Sequence, residues 1–481
     1  MSVTLINPPE QLRVWCGIPK AAAAGVYNFP PLGLMYLQAA LEKKTANRCE
    51  IFDPTVGNLD YPEVEKRLRA YDLDVVGIST FTHALPDVQM MINLVRRYNP
   101  DAKIVLGGPH CTMFPEFAIQ LEGADAVVVG DGEDAFIELV DAWSRGKSLE
   151  GIEGVWFKED GQEIRNKERT LKKHLSEYPW PDRSRVNYKG YYIPGGRERF
   201  MTTAVTSRGC PHSCPFCLAE KGSYRTREID DILDEVEHCL SLGIKEVHFV
   251  DDLFTPNSQW VLEFADAIER RQLKFSWGYK TTIAGTSKQQ IKRSAETGCH
   301  KIHFGVETAN NEGLEGYKKH CNTDDVAQVF RWCREFGVKS VAYLMIAGPH
   351  ERTEADVLRN VDLAIDLDPD YSVIAVFSPY PGTPSFHEGV QKGLFEKDCW
   401  DRMMREPLAG HEVPVAWEEH LSKEEILRLL KVCHRKFYLR PKFIKRHLIP
   451  ETPFEFLRLA GGALSLLKIE MLRAQEHAAP V

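Results

Sequence analysis

The chain lacks an uninterrupted apolar run of the roughly 18 residues that a membrane-spanning helix needs, so no such helix is expected. It opens Met-Ser-Val-Thr-Leu-Ile-Asn-Pro-Pro, straight into a strand, with no basic segment or cleavage site. No signal peptide is therefore expected, and the cytoplasm is the compartment implied. An excess of positive charge is also missing. Sixty Lys and Arg against 69 Asp and Glu leave a formal charge of −9, which argues against a dominant nucleic-acid surface. No Gly-x-Gly-x-x-Gly follows the first strand, so a dinucleotide is not the expected ligand. What is present, 43% hydrophobic and 27% charged residues over 481 positions, suits a globular protein of two to four domains.

Of the 12 cysteines, nine, at 16, 49, 111, 239, 299, 321, 333, 399 and 433, are scattered without metal-like spacing. They read as buried reduced thiols rather than disulfides. The other three crowd into Cys210-Pro-His-Ser-Cys214-Pro-Phe-Cys217. Random placement gives that spacing in roughly one chain in a hundred. Three thiolates can hold three irons of a 4Fe-4S cluster and leave the fourth iron open. Zinc is the plainer alternative, with His212 pressed into service as a fourth ligand, and unliganded thiols are another.

Cys-x3-Cys-x2-Cys with Phe216 before the last cysteine resembles the signature of the radical S-adenosylmethionine (SAM) superfamily. The resemblance implies that SAM chelates the open iron and is cleaved reductively to a 5′-deoxyadenosyl radical. His212 then shapes the cluster loop rather than ligating.

Residues 1–147 alternate strand and helix. Val3 to Ile6, Cys49 to Phe52, Val75 to Ser79, Lys103 to Leu106 and Ala126 to Val129 are apolar strands, with helical patterns such as Leu34 to Lys44 and Leu85 to Arg97 between them. Five such units predict a doubly wound parallel sheet that binds ligands at the carboxyl ends of its strands. Those ends carry Pro8, the Ser79-Thr80-Phe81-Thr82-His83 stretch, Gly107-Gly108-Pro109-His110 and Gly130-Asp131-Gly132-Glu133. The set resembles the cobalamin-binding domain that precedes many radical SAM domains. It departs from the B12-dependent mutases in having no Asp-x-His-x-x-Gly. The resemblance implies base-off cobalamin held by Pro8, Thr80, Thr82, His83, Gly107, Gly108, His110, Gly130, Gly132 and Glu133, with the lower face of cobalt near Thr80, Thr82 or His83. A response-regulator-like domain or one for another ligand remains the alternative.

Residues 148–195 read as a connector that begins with a hairpin turning at Asp160-Gly161. Residues 196–390 resume the alternation. Strands at Ala204 to Ser207, Val247 to Val250, Phe275 to Trp277, Ile302 to Val306, Ser340 to Ile346 and Ser372 to Phe377 predict a partial (β/α)6 barrel, with the cysteine loop after its first strand. The resemblance assigns SAM contacts at later strand ends: Asp251 and Asp252 for the methionyl amine, Lys280 for the carboxylate, Glu307 for the ribose, and Gly348 and Pro379 beside the adenine.

Residues 391–481 predict a helical cap over the barrel mouth, from helical spacing at Lys423 to Tyr438 and Thr452 to Arg473. A basic run, Arg435, Lys436, Arg440, Lys442, Lys445, Arg446 and His447, lies at their junction, and Leu457 to Leu472 would alternatively rest on a membrane surface.

A cobalamin domain ahead of a radical SAM barrel resembles the cobalamin-dependent radical SAM methyltransferases. That implies hydrogen abstraction from the substrate and transfer of a methyl group from methylcobalamin to an unactivated carbon. It also implies a reductant such as flavodoxin or ferredoxin, and a small-molecule or lipid-like substrate. Cyclisation or oxidation without methyl transfer, as in the anaerobic cyclase of chlorophyll synthesis, keeps the same cofactors. A redox-sensing scaffold would keep the cluster alone. The sequence has neither the second cysteine triplet nor the basic terminal domain of the tRNA methylthiotransferases.

Overall fold

The computed structural model describes residues 1–12, 28–193, 195–219, 224–255, 257–400, 402 and 415–448. These form two compact units, one built mainly on residues 28–191 and the other on 192–400. Cys16 and the predicted helix from Thr452 to Arg473, with its Leu457 to Leu472 stripe, lie outside the described residues.

The first unit is a sheet of seven strands: β1 Ser2–Ile6, β2 Arg48–Phe52, β3 Val75–Ser79, β4 Lys103–Gly107, β5 Ala126–Val128, β6 Val155–Glu159 and β7 Gln162–Arg165. Their order is β2-β1-β3-β4-β5-β6-β7, parallel as far as β5. Alternation along the strands sends side chains to both faces. Ile6, Val76, Ile78, Ile104 and Leu106 pack with Val88, Met91, Ile92 and Val95 of helix Leu85–Tyr98. Val3, Leu5, Val75 and Val105 pack with Phe136, Leu139 and Val140 of helix Gly132–Ser144. Two covered faces explain why these strands read as continuous apolar runs. The hairpin turns at Asp160 and Gly161, whose φ values of 49° and 77° suit the primed turn that matches strand twist. It is part of the sheet: β6 pairs antiparallel with β5, Val127 opposite Trp156.

The second unit is a curled, all-parallel sheet of six strands in the order β8-β11-β12-β13-β14-β15. They span β8 Met201–Ala204, β11 Glu246–Phe249, β12 Ser276–Thr282, β13 Cys299–Glu307, β14 Lys339–Ile346 and β15 Tyr371–Val376. A separate two-stranded ribbon, β9 Ser207–Arg208 with β10 Arg225–Thr226, closes the base of the cysteine loop. The expected strand from Ala204 to Ser207 is thus broken in two. Val247, Phe249, Trp277, Tyr279, Ile302, Phe304, Leu344 and Ile346 face an outer layer of helices and make the main core. Reading only this apolar face makes β12 and β13 look short, because the alternate residues Gly278, Lys280, Lys301 and His303 turn inward. Three of the outer helices start with capping boxes at Ser287, Asn322 and Thr353, each cap contributing about 1 kcal/mol.

Helix Lys423–Tyr438 buries Ile426, Leu429, Leu430, Cys433 and Phe437 in that same outer core. It therefore caps β15, not the barrel mouth. His434 Nε2 lies 2.9 Å from the Ile374 carbonyl and Tyr438 donates to the Ser372 carbonyl, so the free edge of the sheet is occupied.

Candidate active site

The cysteine loop is held from beneath by one carboxylate. Asp251, at the end of β11 and 1% exposed, accepts at Oδ1 from Thr206 N and Thr206 Oγ1, both at 2.8 Å, from Ser207 Oγ at 2.7 Å, and from Ser207 N. Arg227 adds a second anchor: its backbone N–H donates to the Thr206 carbonyl at 2.8 Å and its guanidinium to the Val205 carbonyl at 3.0 Å. Burial raises the Asp251 carboxyl above the ordinary range, against the pull of these donors, and Oδ2 is left buried with no hydrogen-bond partner. Asp252 is exposed and acts on Cys210 through charge.

Cys210, Cys214 and Cys217 are half-buried. Burial raises the Cys210 thiol most; a backbone hydrogen bond from His212 opposes it, and Cys217, Cys214 and Asp252 raise it further. Such crowding of potential anions is relieved by a cationic iron centre. Among the described residues, one group of His, Cys, Asp or Glu side chains has three ligand atoms all within 4.8 Å, namely Glu246, His248 and His300. The three cysteines are set wider than that. Three soft thiolates without a close fourth protein ligand suit three corners of a four-iron cluster. The loop therefore fits the cluster.

Phe216 meets Tyr317 edge-on at 5.2 Å and Phe377 at 6.4 Å, while Tyr317 stacks on Phe377 at 5.8 Å. Gly348 lies against this wall, since a Cβ there would come within 2.1 Å of Tyr317 Oη. Its N–H donates to Glu351 Oε2 at 2.7 Å. Pro379 is two residues past Phe377 and accepts from Trp400 Nε1 at 3.0 Å. Phe216, Gly348 and the loop bearing Pro379 are thus brought together.

Glu307 ends β13 with φ 66°, and Ala347, next to β14, has φ 57°. Positive φ outside glycine costs of order 1 kcal/mol or more and clusters at functional sites. Glu307 Oε1 accepts from Lys319 Nζ at 2.9 Å, both side chains being buried. Burial alone would lower the Lys319 ammonium, but Glu307 and Cys214 outweigh it and raise the pKa. Sequence reasoning missed Lys319, which lies in an unremarkable Tyr317-Lys318-Lys319-His320 stretch. Lys280, which the sequence pointed to instead, is in register with His303, four residues before Glu307 on the neighbouring strand.

In the first unit, the carboxyl ends of the strands make a cradle. Gly108 has φ 107°, and a Cβ there would lie 3.1 Å from the Thr80 carbonyl, so only glycine fits beside Thr80. Gly107 faces open space. Thr80 is buried and donates to the Ile78 carbonyl at 3.2 Å. Thr82 Oγ1 is 3.1 Å from His110 Nδ1, whose Nε2 is buried without a partner. Burial lowers the His110 pKa to about 4, so the ring is neutral. His83 Nε2 lies 4.0 Å from Glu10 and its ring stacks on Phe81. Gly130 N–H donates to Thr112 Oγ1 at 3.0 Å, while Pro8 and Glu133 are buried. The open glycine and the orphaned imidazole nitrogen fit a bulky ligand with polar edges, as cobalamin is.

A doubly wound cradle and a half-barrel with a three-cysteine loop define a radical SAM enzyme with a cobalamin-binding domain. The B12 binding domain family matches residues 20–140, and the Radical SAM superfamily matches residues 204–364. The chain is 30% identical to the Pyrococcus horikoshii protein named "Uncharacterized methyltransferase PH0819" over 472 residues, 96% of this chain and 98% of that one. The anaerobic magnesium-protoporphyrin IX monomethyl ester cyclase of Cereibacter sphaeroides is 25% identical over 426 residues, 86% of this chain and 68% of its own. Among solved structures, the radical SAM methyltransferase TsrM of Kitasatospora setae shares the fold at a TM-score of 0.68 and 20% identity, covering 82% of this chain and 76% of that one. The chain belongs to the cobalamin-dependent radical SAM enzymes, in a family with methyltransferase-named members. Its cofactors are those of the family: a 4Fe-4S cluster, SAM and cobalamin. No helix of the described residues is long and apolar enough to cross a membrane.

Proposed function

We propose that this enzyme transfers a methyl group to an unactivated carbon of a small molecule. The observation that carries the reading is the end-to-end match, 96% of this chain and 98% of the other, to a methyltransferase-named protein, together with the intact cysteine loop. When bound, the cluster supplies the electron that cleaves SAM, and cobalamin carries the methyl group. Cys210, Cys214 and Cys217 hold three irons, and Asp251 fixes the loop that presents them. Lys319, buried against Glu307 and acting on Cys214, is better placed than Lys280 to meet the SAM carboxylate. Glu307 takes the ribose hydroxyls, and Asp252 the methionyl amine. Phe216, Gly348 and Pro379 line the adenine side, where the Tyr317 and Phe377 rings exclude water. Gly107, Gly108, Thr80, His110 and their neighbours receive cobalamin. A reducing cytoplasm suits the free state of every described cysteine, and a flavodoxin or ferredoxin would supply electrons.

The test uses anaerobically reconstituted enzyme with hydroxocobalamin, dithionite and methyl-deuterated SAM. Formation of 5′-deoxyadenosine, S-adenosylhomocysteine and methylcobalamin, with deoxyadenosine lost in Cys214→Ala, is the expected result. Deoxyadenosine without the two methyl-transfer products would move the assignment to the cyclase-like chemistry of the 25%-identical relative.

A further inference from the structure

Below Glu307 the inside of the half-barrel is polar, with Lys280 and His303 on its inner face. Lys280 of β12 and His303 of β13 are register neighbours on adjacent strands, whose chains run about 4.8 Å apart. Both point inward, because Tyr279, Ile302 and Phe304 beside them belong to the outer core. Lys280 is half-buried and makes no ion pair with any described residue. His303 Nδ1 bonds Tyr343 Oη at 3.1 Å, and its Nε2 has no hydrogen-bond partner among the described residues. Two carboxylates of the barrel, Glu246 and Glu307, are engaged elsewhere. Glu246 Oε1 meets His248 Nε2 at 2.9 Å and His300 Nε2 at 3.0 Å, and its Oε2 accepts from Arg197 N and Glu198 N at 2.8 Å. Glu307 is taken by Lys319. Burial lowers the His303 pKa most, and the nearby bases Lys301, His248, Lys280 and His300 push it further down.

We propose that Lys280 and His303 form a subsite inside the barrel for an anionic group, a carboxylate or phosphate, of the methyl acceptor. The inference rests on the reading of this barrel as the catalytic domain, and it names the substrate class. A half-buried ammonium without a counter-ion is costly, and an anion bridging Nζ and Nε2 removes that cost. His303 stands four residues before Glu307 on β13, about 13 Å along the strand. The acceptor is then a molecule that reaches about that far from its anionic end to the carbon facing the strand ends. A wholly apolar lipid would leave Lys280 desolvated and unpaired.

The test soaks crystals of the reconstituted holoenzyme in bromide and reads its anomalous scattering. A bromide within about 3.5 Å of Lys280 Nζ and His303 Nε2 is expected. In solution, inorganic phosphate should raise the thermal midpoint of the wild type, with apparent affinity about tenfold weaker in Lys280→Gln and in His303→Gln. Iron content verifies that each variant is folded; if neither holds its cluster, the wild-type bromide map decides alone. Bromide ordered on the surface but not inside, or equal phosphate protection in wild type and folded variants, overturns the subsite. Displacement of the bromide by SAM also overturns it, by giving the subsite to the cofactor. Deoxyadenosine formation without an acceptor reads the catalytic assignment separately, so either idea can fail alone.

Discussion

Replacing Asp251 with alanine should cost the barrel both stability and its cluster. Asp251 Oδ1 is the shared acceptor of four donors on Thr206 and Ser207, which are themselves buried. The Ser207 hydroxyl has an escape, since its Oγ already reaches the Leu253 carbonyl at 3.0 Å. The two backbone N–H groups do not. Each buried donor left unpaired costs about 1–3 kcal/mol, so the pair costs roughly 2–6 kcal/mol. Removing a carboxylate whose own burial is unfavourable returns part of this, leaving a net loss of about 2–4 kcal/mol. Against a typical domain stability of about 5–15 kcal/mol, that is a large share. Asp251→Asn keeps an acceptor oxygen and should lose about half as much. The assay is guanidinium unfolding of the reconstituted enzyme, with iron and sulfide counted per chain and exposed Asp252→Ala as control. An Asp251→Ala protein with the iron content and unfolding midpoint of that control would refute the clamp.

The first unit should lose stability in acid through His110. The unfolded chain takes up this proton near pH 6.5 and the folded one only near 4, so stability falls as pH drops through that window, by about 3 kcal/mol in all. Urea midpoints from pH 7 to pH 4 should show the fall in wild type and lose it in His110→Gln. Lys319→Met leaves Glu307 buried without its cation and should weaken SAM binding at least about tenfold by equilibrium dialysis, with Lys319→Arg largely restoring it. Glu307→Ala should also weaken SAM binding, and an unchanged dissociation constant would remove Glu307 from the site. Gly108→Ala puts a Cβ 3.1 Å from the Thr80 carbonyl at a φ of 107°, so hydroxocobalamin retention on a desalting column should be lost.

Strand positions in the first unit were legible because both faces of its sheet are buried: Val75 and Val76 belong to opposite cores, and the sequence shows an unbroken apolar run. The barrel strands were shortened wherever the inward face is polar. Gly278, Lys280, Lys301 and His303 interrupt the apolar pattern, although β12 extends to Thr282 and β13 begins at Cys299. The cap helix was visible from its spacing and from the Ser422 and Glu425 capping box. Its seat against β15 was not, since helical periodicity says which face is buried and not what buries it.

By itself the sequence determined the chemistry that depends on local spacing. Three thiols within eight residues, with Phe216 before the last, carry the radical SAM resemblance, and glycines at strand ends open a sheet to a bulky ligand. The tertiary structure decided which distant charges meet. Asp251 was expected to face SAM, yet folding turns one of its oxygens onto Thr206 and Ser207. Lys319 reaches Glu307 and Cys214 through the chain reversal after β13, and Lys280 meets His303 through strand register. Local spacing is fixed by covalent geometry, which any reader of the sequence shares. Pairing of charges across strands depends on register and on which face is inward, and those are settled only when the sheet curls.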